Sequence, residues 1–254
     1  MRVFCITNNK GGVAKTTSAV NLSYAIAEKG HRVLLVDTDP QCNATYSLIG
    51  SLEASDRTLF DVLTGETTLD QAIVATKHSN LFVVPCSIDL SAADIMLASA
   101  HGRERRLERA LEKVKDSFDY VVIDTPPQLG VLTINALVAC TDVLIPFSLT
   151  TYALIGISIL EKTMQELRDN LGVELPVLGV FATMDDHTVI NRNVLEAIRM
   201  RFKDKVFASV IPRNIAVEEA HNQTSSVFEY QPGSKGAHAY ANLAAEVLER
   251  AKNG

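Results

Sequence analysis

The sequence predicts an α/β protein, a doubly wound, mostly parallel sheet of about seven or eight strands with helices on both faces. Three observations predict it. Short β-rich runs alternate with longer helical patterns along the 254 residues. The runs are almost continuously apolar, as strands buried on both faces must be. The segments between them repeat the 3-4-3 spacing of a single buried helical stripe.

In chain order the strands are expected at residues 3–8, 32–37, 81–85, 120–124, 143–147, 177–182 and 206–211. The first helix is expected over residues 16–29, closed by Gly30, because a glycine readily takes the left-handed conformation that ends many helices. Leu107, Leu111 and Val114 form one apolar stripe, and Ile157, Leu160, Met164 and Leu167 another. Around the first stripe, Glu104, Glu108 and Glu112 are interleaved with Arg103, Arg105 and Arg106, the pattern of a solvated face with i,i+4 pairs. A last helix over residues 239–252 sets Tyr240, Leu243, Ala244, Val247 and Leu248 on one side. With only Arg250 and Lys252 basic there, packing against the domain is expected rather than a membrane surface.

A 47% hydrophobic, 21% charged composition can fill one large core, and no Pro/Gly/Ser-rich linker interrupts it, so residues 1–254 are expected to form a single domain. No apolar run approaches the roughly 20 residues of a bilayer-spanning helix, and the first is too short for a secretory leader. A cytoplasmic location is expected. Cys5, Cys42, Cys86 and Cys140 lack metal-site spacing and read as buried, reduced thiols. A net charge of -6 excludes a surface that coats nucleic acid everywhere, leaving only a local patch for such contact.

The first strand runs directly through Asn8-Asn9-Lys10-Gly11-Gly12-Val13-Ala14-Lys15-Thr16-Thr17 into the first helix. In that context a glycine-containing loop turns its N–H groups onto phosphate oxygens, and the positive helix end adds attraction. Lys15 supplies the mobile charge for the β- and γ-phosphates of ATP, and the Thr16 hydroxyl is placed to ligate Mg²⁺ at the first helical turn. Asn9 and Ala14 stand where the plain pattern G-x-x-x-x-G-K-[ST] has glycines, and a second lysine, Lys10, precedes Lys15 by five residues. Asp37 and Asp39 follow one apolar strand and Asp124 ends another, so these carboxylates emerge at the C-terminal edge of the sheet, where open α/β sheets bind ligands. Capping of the following turn or helix is the other reading of Asp37 and Asp39.

Together with Lys10 to Thr17, the segments Leu34-Leu35-Val36-Asp37-Thr38-Asp39-Pro40-Gln41, Tyr120-Val121-Val122-Ile123-Asp124-Thr125-Pro126-Pro127 and Val210-Ile211-Pro212-Arg213-Asn214 are similar to those of one family. The whole chain resembles the ParA/Soj-type partition ATPases, P-loop proteins of the deviant Walker A group related to MinD and to the nitrogenase iron protein. The resemblance implies that Asp39 positions the attacking water, with Asp37 and Asp39 near the metal, and that Asp124 holds Mg²⁺ through water. It extends the nucleotide site to Pro212 and Asn214 and makes Pro126-Pro127 the start of a γ-phosphate sensor. Lys10 would reach the partner's nucleotide across an ATP-dependent homodimer, with Gly11 and Gly12 leaving room for close approach. Family members more often have glycine at Ala14.

The same resemblance implies non-specific binding of double-stranded DNA by the nucleoid-associated dimer. Arg213, Arg192 and Lys235 are the candidate contacts in a basic C-terminal third that also holds Arg199, Arg201, Lys203 and Lys205. A ParB-like partner would stimulate hydrolysis, and no N-terminal helix-turn-helix extension is expected. The rival expectations are a MinD-like membrane-associated regulator of the division site, a positioning ATPase for a protein assembly, and an iron-sulfur reductase. The last lacks suitably placed cysteines.

Overall fold

The protein is described by a computed structural model covering residues 1–53, 56–150 and 152–253. Side-chain alternation along the first strand, β1 (Arg2–Ile6), sets the layering: Val3 and Cys5 enter one buried cluster, Phe4 and Ile6 the other. The next strand, β2 (Val33–Asp37), repeats this, with Leu34 and Val36 opposed to Val33 and Leu35. Neither face can meet water, so each acquires a helical layer.

Between these strands lies α1 (Lys15–Ala27), followed after β2 by α2 (Asn43–Ile49), α3 (Leu59–Thr64), β3 (Val74–Ala75), β4 (Leu81–Val84), α4 (Ala93–Met96) and α5 (Arg106–Glu112). The chain continues through β5 (Tyr120–Asp124), α6 (Val131–Ala139), β6 (Asp142–Ser148), α7 (Ala153–Leu171), β7 (Val177–Asp185), α8 (Val189–Phe202) and β8 (Val206–Pro212). It closes with α9 (Ile215–Asn222), α10 (Val227–Tyr230) and α11 (Lys235–Asn253). Helices α5, α6 and α7 bury Leu107, Leu132 and Ile157 in one cluster, while α1 and α11 bury Leu22 and Tyr240 in the other.

The eight strands run in the order β3-β4-β2-β5-β1-β6-β7-β8. Seven match the expected runs; the eighth, β3, pairs antiparallel to β4 through Val74↔Val83 and Ala75↔Phe82. Two residues are too few to show a period, which is why the sequence pattern misses it. The first helix starts at Lys15 rather than Thr16, and Gly30 follows it at φ 87. The apolar stripe of α11 is buried against the domain, where the Tyr240 hydroxyl meets Ser18 Oγ of α1 at 3.1 Å. At the β8 edge, the Glu246 carboxylate accepts the N–H groups of Ala208 and Ser209, both at 2.8 Å, occupying donors that an edge strand otherwise exposes. Among the described residues no helix is long and apolar enough to cross a membrane.

Candidate nucleotide site

Strands β1, β2 and β5 lie side by side, with Ile6 in register with Asp124 and Asp37 with Asp124, so the glycine loop and both strand-end carboxylates share one sheet edge. Asn8 anchors the loop. Its Nδ2 donates to Pro146 O at 2.8 Å and its Oδ1 accepts Lys10 N–H at 3.0 Å, while Thr183 Oγ1 donates to Val13 O at 3.2 Å. Gly12 has φ 68 and needs glycine for its own backbone. Gly11 has no such φ, and a Cβ there would meet nothing within 4 Å.

Ala14 occupies the left-handed region at φ 60, ψ 37 directly before α1. That conformation crowds a Cβ, which gives the physical reason a glycine suits this position. No side chain caps α1 at Ala14, so the first-turn N–H groups and the positive end of the helix are left to an anion. Lys15 stands in that turn, 7% exposed, with Nζ donating to Lys10 O at 3.0 Å. Burial lowers its ammonium pKa, opposed by the charges of Asp124 and Asp39. Lys10 Nζ instead donates to Thr150 Oγ1 at the surface, at 2.8 Å.

The three aspartates have different surroundings. Asp37 Oδ1 accepts Asp39 N–H at 3.1 Å, and its Oδ2 accepts Thr45 N–H at 2.8 Å and the Thr45 hydroxyl at 2.7 Å. Its carboxylate therefore tethers the first turn of α2, the capping role, and burial pushes its pKa up to about 6 despite those donors. Both of its oxygens are engaged by Asp39 and Thr45, which is the capping reading of this residue. Asp39 Oδ1 accepts Gln41 N–H at 3.0 Å, and the residue lines a cavity of about 520 Å³ with Pro126 and Pro127. Thr38 holds the loop to the end of β5, its N–H donating to Asp124 O at 3.0 Å.

Asp124 is fully buried and neither carboxylate oxygen has a hydrogen-bond partner. Burial drives its pKa well up, the charge of Asp37 adds to this, and Thr16, then Lys15, oppose it. Of the eight buried side-chain polar atoms without a partner among the described residues, five lie on Thr7, Asn9, Asp124 and Asn214, around this edge. A carboxylate so placed beside the Thr16 hydroxyl fits a hydrated Mg²⁺. Asn214 Oδ1 stands at a second cavity of about 310 Å³, which Ala14 and Thr17 share with Pro212 and Asn214. The far end of a nucleotide has room there.

Arg213, Arg192 and Lys235 each lie near Asp185 at the end of β7, but line three different cavities. Arg213 N–H donates to Asp185 O at 2.9 Å, and Arg192 and Lys235 each line a cavity with Asp185 and His187. Arg213 is 71% exposed and lies 3.7 Å from Glu218. Arg201 is instead paired with Glu161. All four cysteines are free and buried, and the Cys86 thiol donates to Asp39 O at 3.0 Å. Sequence reasoning misses Thr45, and it misses His221, whose Nδ1 meets Ser47 Oγ of α2 at 2.7 Å from the wall of the second cavity. Only a chain reversal of 174 residues brings that last pair together, so no local pattern signals it.

An AAA domain family model matches residues 1–177. Sporulation initiation inhibitor protein Soj of Bacillus subtilis is 44% identical over 249 residues, covering 97% of this chain and 98% of that protein. Chromosome partitioning protein ParA of Caulobacter vibrioides is 40% identical over 256 residues, covering 100% and 96%. The crystal structure of a cobyrinic acid a,c-diamide synthase from Mycobacterium smegmatis, with bound ADP and magnesium, superposes with a TM-score of 0.86 at 37% identity, covering 100% of this chain and 96% of that one. Glycine loop, carboxylate edge and near-full-length relatives agree, and the chain belongs to the ParA/Soj-type P-loop ATPases.

Proposed function

We propose that this ATPase forms a nucleotide-dependent homodimer, binds double-stranded DNA without sequence preference, and partitions or positions a DNA cargo with a ParB-like partner. One observation carries the reading. Arg213 and Asn214 are consecutive and both line the cavity shared with Ala14 and Thr17, Arg213 with an exposed side chain and Asn214 with its Oδ1 buried. Whatever nucleotide does to that segment therefore reaches Arg213. The identities to Soj and ParA, 44% and 40%, exceed that to the diamide synthase and support partition over corrin chemistry.

In this reading the N–H groups of the loop and the start of α1 hold the phosphates, and Lys15 exchanges Lys10 O for a phosphate oxygen. Thr16 and Asp124 hold Mg²⁺, which when bound neutralises charge on the β- and γ-oxygens. Asp39, which lines its cavity, orients the attacking water, while Asp37 fixes the loop that carries it. Lys10 leaves Thr150 for the partner's nucleotide, and Gly11, which its own fold does not require, gives the second copy room. An acidic chain cannot hold DNA by net charge, so two weak basic patches side by side must do it.

A gel shift on two unrelated duplexes, with ATP and with ADP, tests this. Equal retardation of both duplexes is expected with ATP only, falling by about one decade in affinity on a several-fold rise in salt. Binding with ADP, preference for one duplex, or undiminished binding by Arg213→Glu would each contradict it.

A further inference from the structure

Away from the nucleotide site, the segment ending in α5 sorts its charges onto separate faces. Glu104 pairs with Arg103 and Glu108 with Arg105, both at 2.9 Å, and Glu112 with Lys115. Arg106, Arg109 and Lys113 remain, spaced three and four apart and hence on one side of the helix. No carboxylate among the described residues forms an ion pair with any of the three. All three line one cavity of about 410 Å³ against the turn that follows α3, which also holds Thr68 and His101. Glu66 is its single carboxylate, leaving a surplus of positive charge in a chain whose net charge is -6.

The guanidinium groups lie against two left-handed glycines. A Cβ on Gly102 would stand 3.2 Å from an Arg109 terminal nitrogen, and one on Gly65 4.0 Å from Arg106 Nη1. Arg106 donates Nη1 to Leu63 O, which fixes its guanidinium at the cavity wall. Arg109 and Lys113 bring two further cations to the same cavity with no acidic side chain paired to either. The volume falls within the roughly 300–1,000 Å³ of small-molecule sites.

We propose that this cavity binds a small soluble ligand through a phosphate or pyrophosphate group, with Arg106, Arg109 and Lys113 as its cationic partners. Two guanidinium groups favour phosphate over a point-charge ligand, because their forks match pairs of phosphate oxygens. No residue of the nucleotide site lines the cavity, so the ligand is an additional one.

The test is calorimetric titration of inorganic phosphate and pyrophosphate at fixed ionic strength, without Mg²⁺, into full-length Lys15→Ala protein, whose nucleotide loop lacks its main cation. Saturable pyrophosphate binding is expected, tighter than that of phosphate. In Lys15→Ala/Arg109→Ser/Lys113→Ser it should weaken at least about tenfold. Arg109→Gln alone, at an exposed position, should weaken it in the same direction and serves if the paired substitution impairs folding. Absence of saturable binding, or undiminished affinity without the two cations, overturns the proposal. So does sedimentation with phosphatidylglycerol vesicles that depends on Arg109 and Lys113 while pyrophosphate fails to bind, which would identify a lipid headgroup instead.

Discussion

Replacing Asp124 with asparagine should flatten the pH dependence of stability in the nucleotide-free protein and remove its response to Mg²⁺. Asp37 accepts three hydrogen bonds, yet burial, with the charge of Asp39 adding to it, carries its pKa to about 6. Asp124 is equally buried, and burial with the charge of Asp37 holds its folded pKa well above the ordinary carboxylate range, against the Thr16 hydroxyl and Lys15. Both values are raised above the unfolded 3.8. Between the two limits the folded carboxyl keeps a proton that the unfolded chain releases, so its stabilisation is complete below the unfolded value and lost as pH rises through the folded one. One such group contributes a slope of about 1.4 kcal/mol per pH unit. As pH rises from the unfolded value toward the folded one, the parental protein should therefore lose stability relative to Asp124→Asn in urea unfolding, with a slope of up to about 1.4 kcal/mol per pH unit. The cost of burying the amide is independent of pH and cancels from that slope. A nucleotide complex at a hundred times its Kd adds about 2.7 kcal/mol, and the Mg²⁺-dependent part should be absent from the variant. An unchanged slope, or an unchanged Mg²⁺ increment, would refute the assignment of this carboxylate.

Lys15→Ala should bind no ATP in calorimetry, because the phosphates lose their principal cation within the chain; parental affinity would contradict that. Asp39→Ala should bind ATP normally while turnover in a phosphate-release assay falls at least about a hundredfold, since only the orientation of water is lost. Ala14→Gly should raise unfolding free energy by about 0.5–1 kcal/mol, because relief of a left-handed Cβ at about 1–2 outweighs glycine's entropic cost of about 0.5–1. A destabilised variant in denaturant melts would show that this backbone is not strained.

The seven longer strands were legible because each combines an apolar run with a turn, and the nucleotide loop because strand, glycines, lysine and helix follow one another without a gap. Asp124 was legible as a buried strand-end acid. The contacts of Asp37 were not, since the same position suits a metal ligand or a cap, and only the fold brings Thr45 against it. The left-handed backbone of Ala14 was signalled only by the glycine that the loop pattern has at this position, because alanine itself rarely adopts it. The Ser47–His221 contact and the Arg213–Asp185 backbone bond depend on chain crossings that no spacing records.

Mutual completion of two nucleotide sites in a dimer is tested most directly by mixing Lys10→Ala with Asp39→Ala and measuring ATP hydrolysis. Each variant alone should be inactive, the first for want of its partner's cation and the second for want of its own water-positioning carboxylate. In a mixed dimer the Lys10→Ala subunit keeps its own Asp39 and receives Lys10 from its partner, so one of two sites works. Random association at equal concentrations should restore about a quarter of the parental rate. No recovery at any ratio, or full activity of Lys10→Ala alone, would contradict action across the dimer.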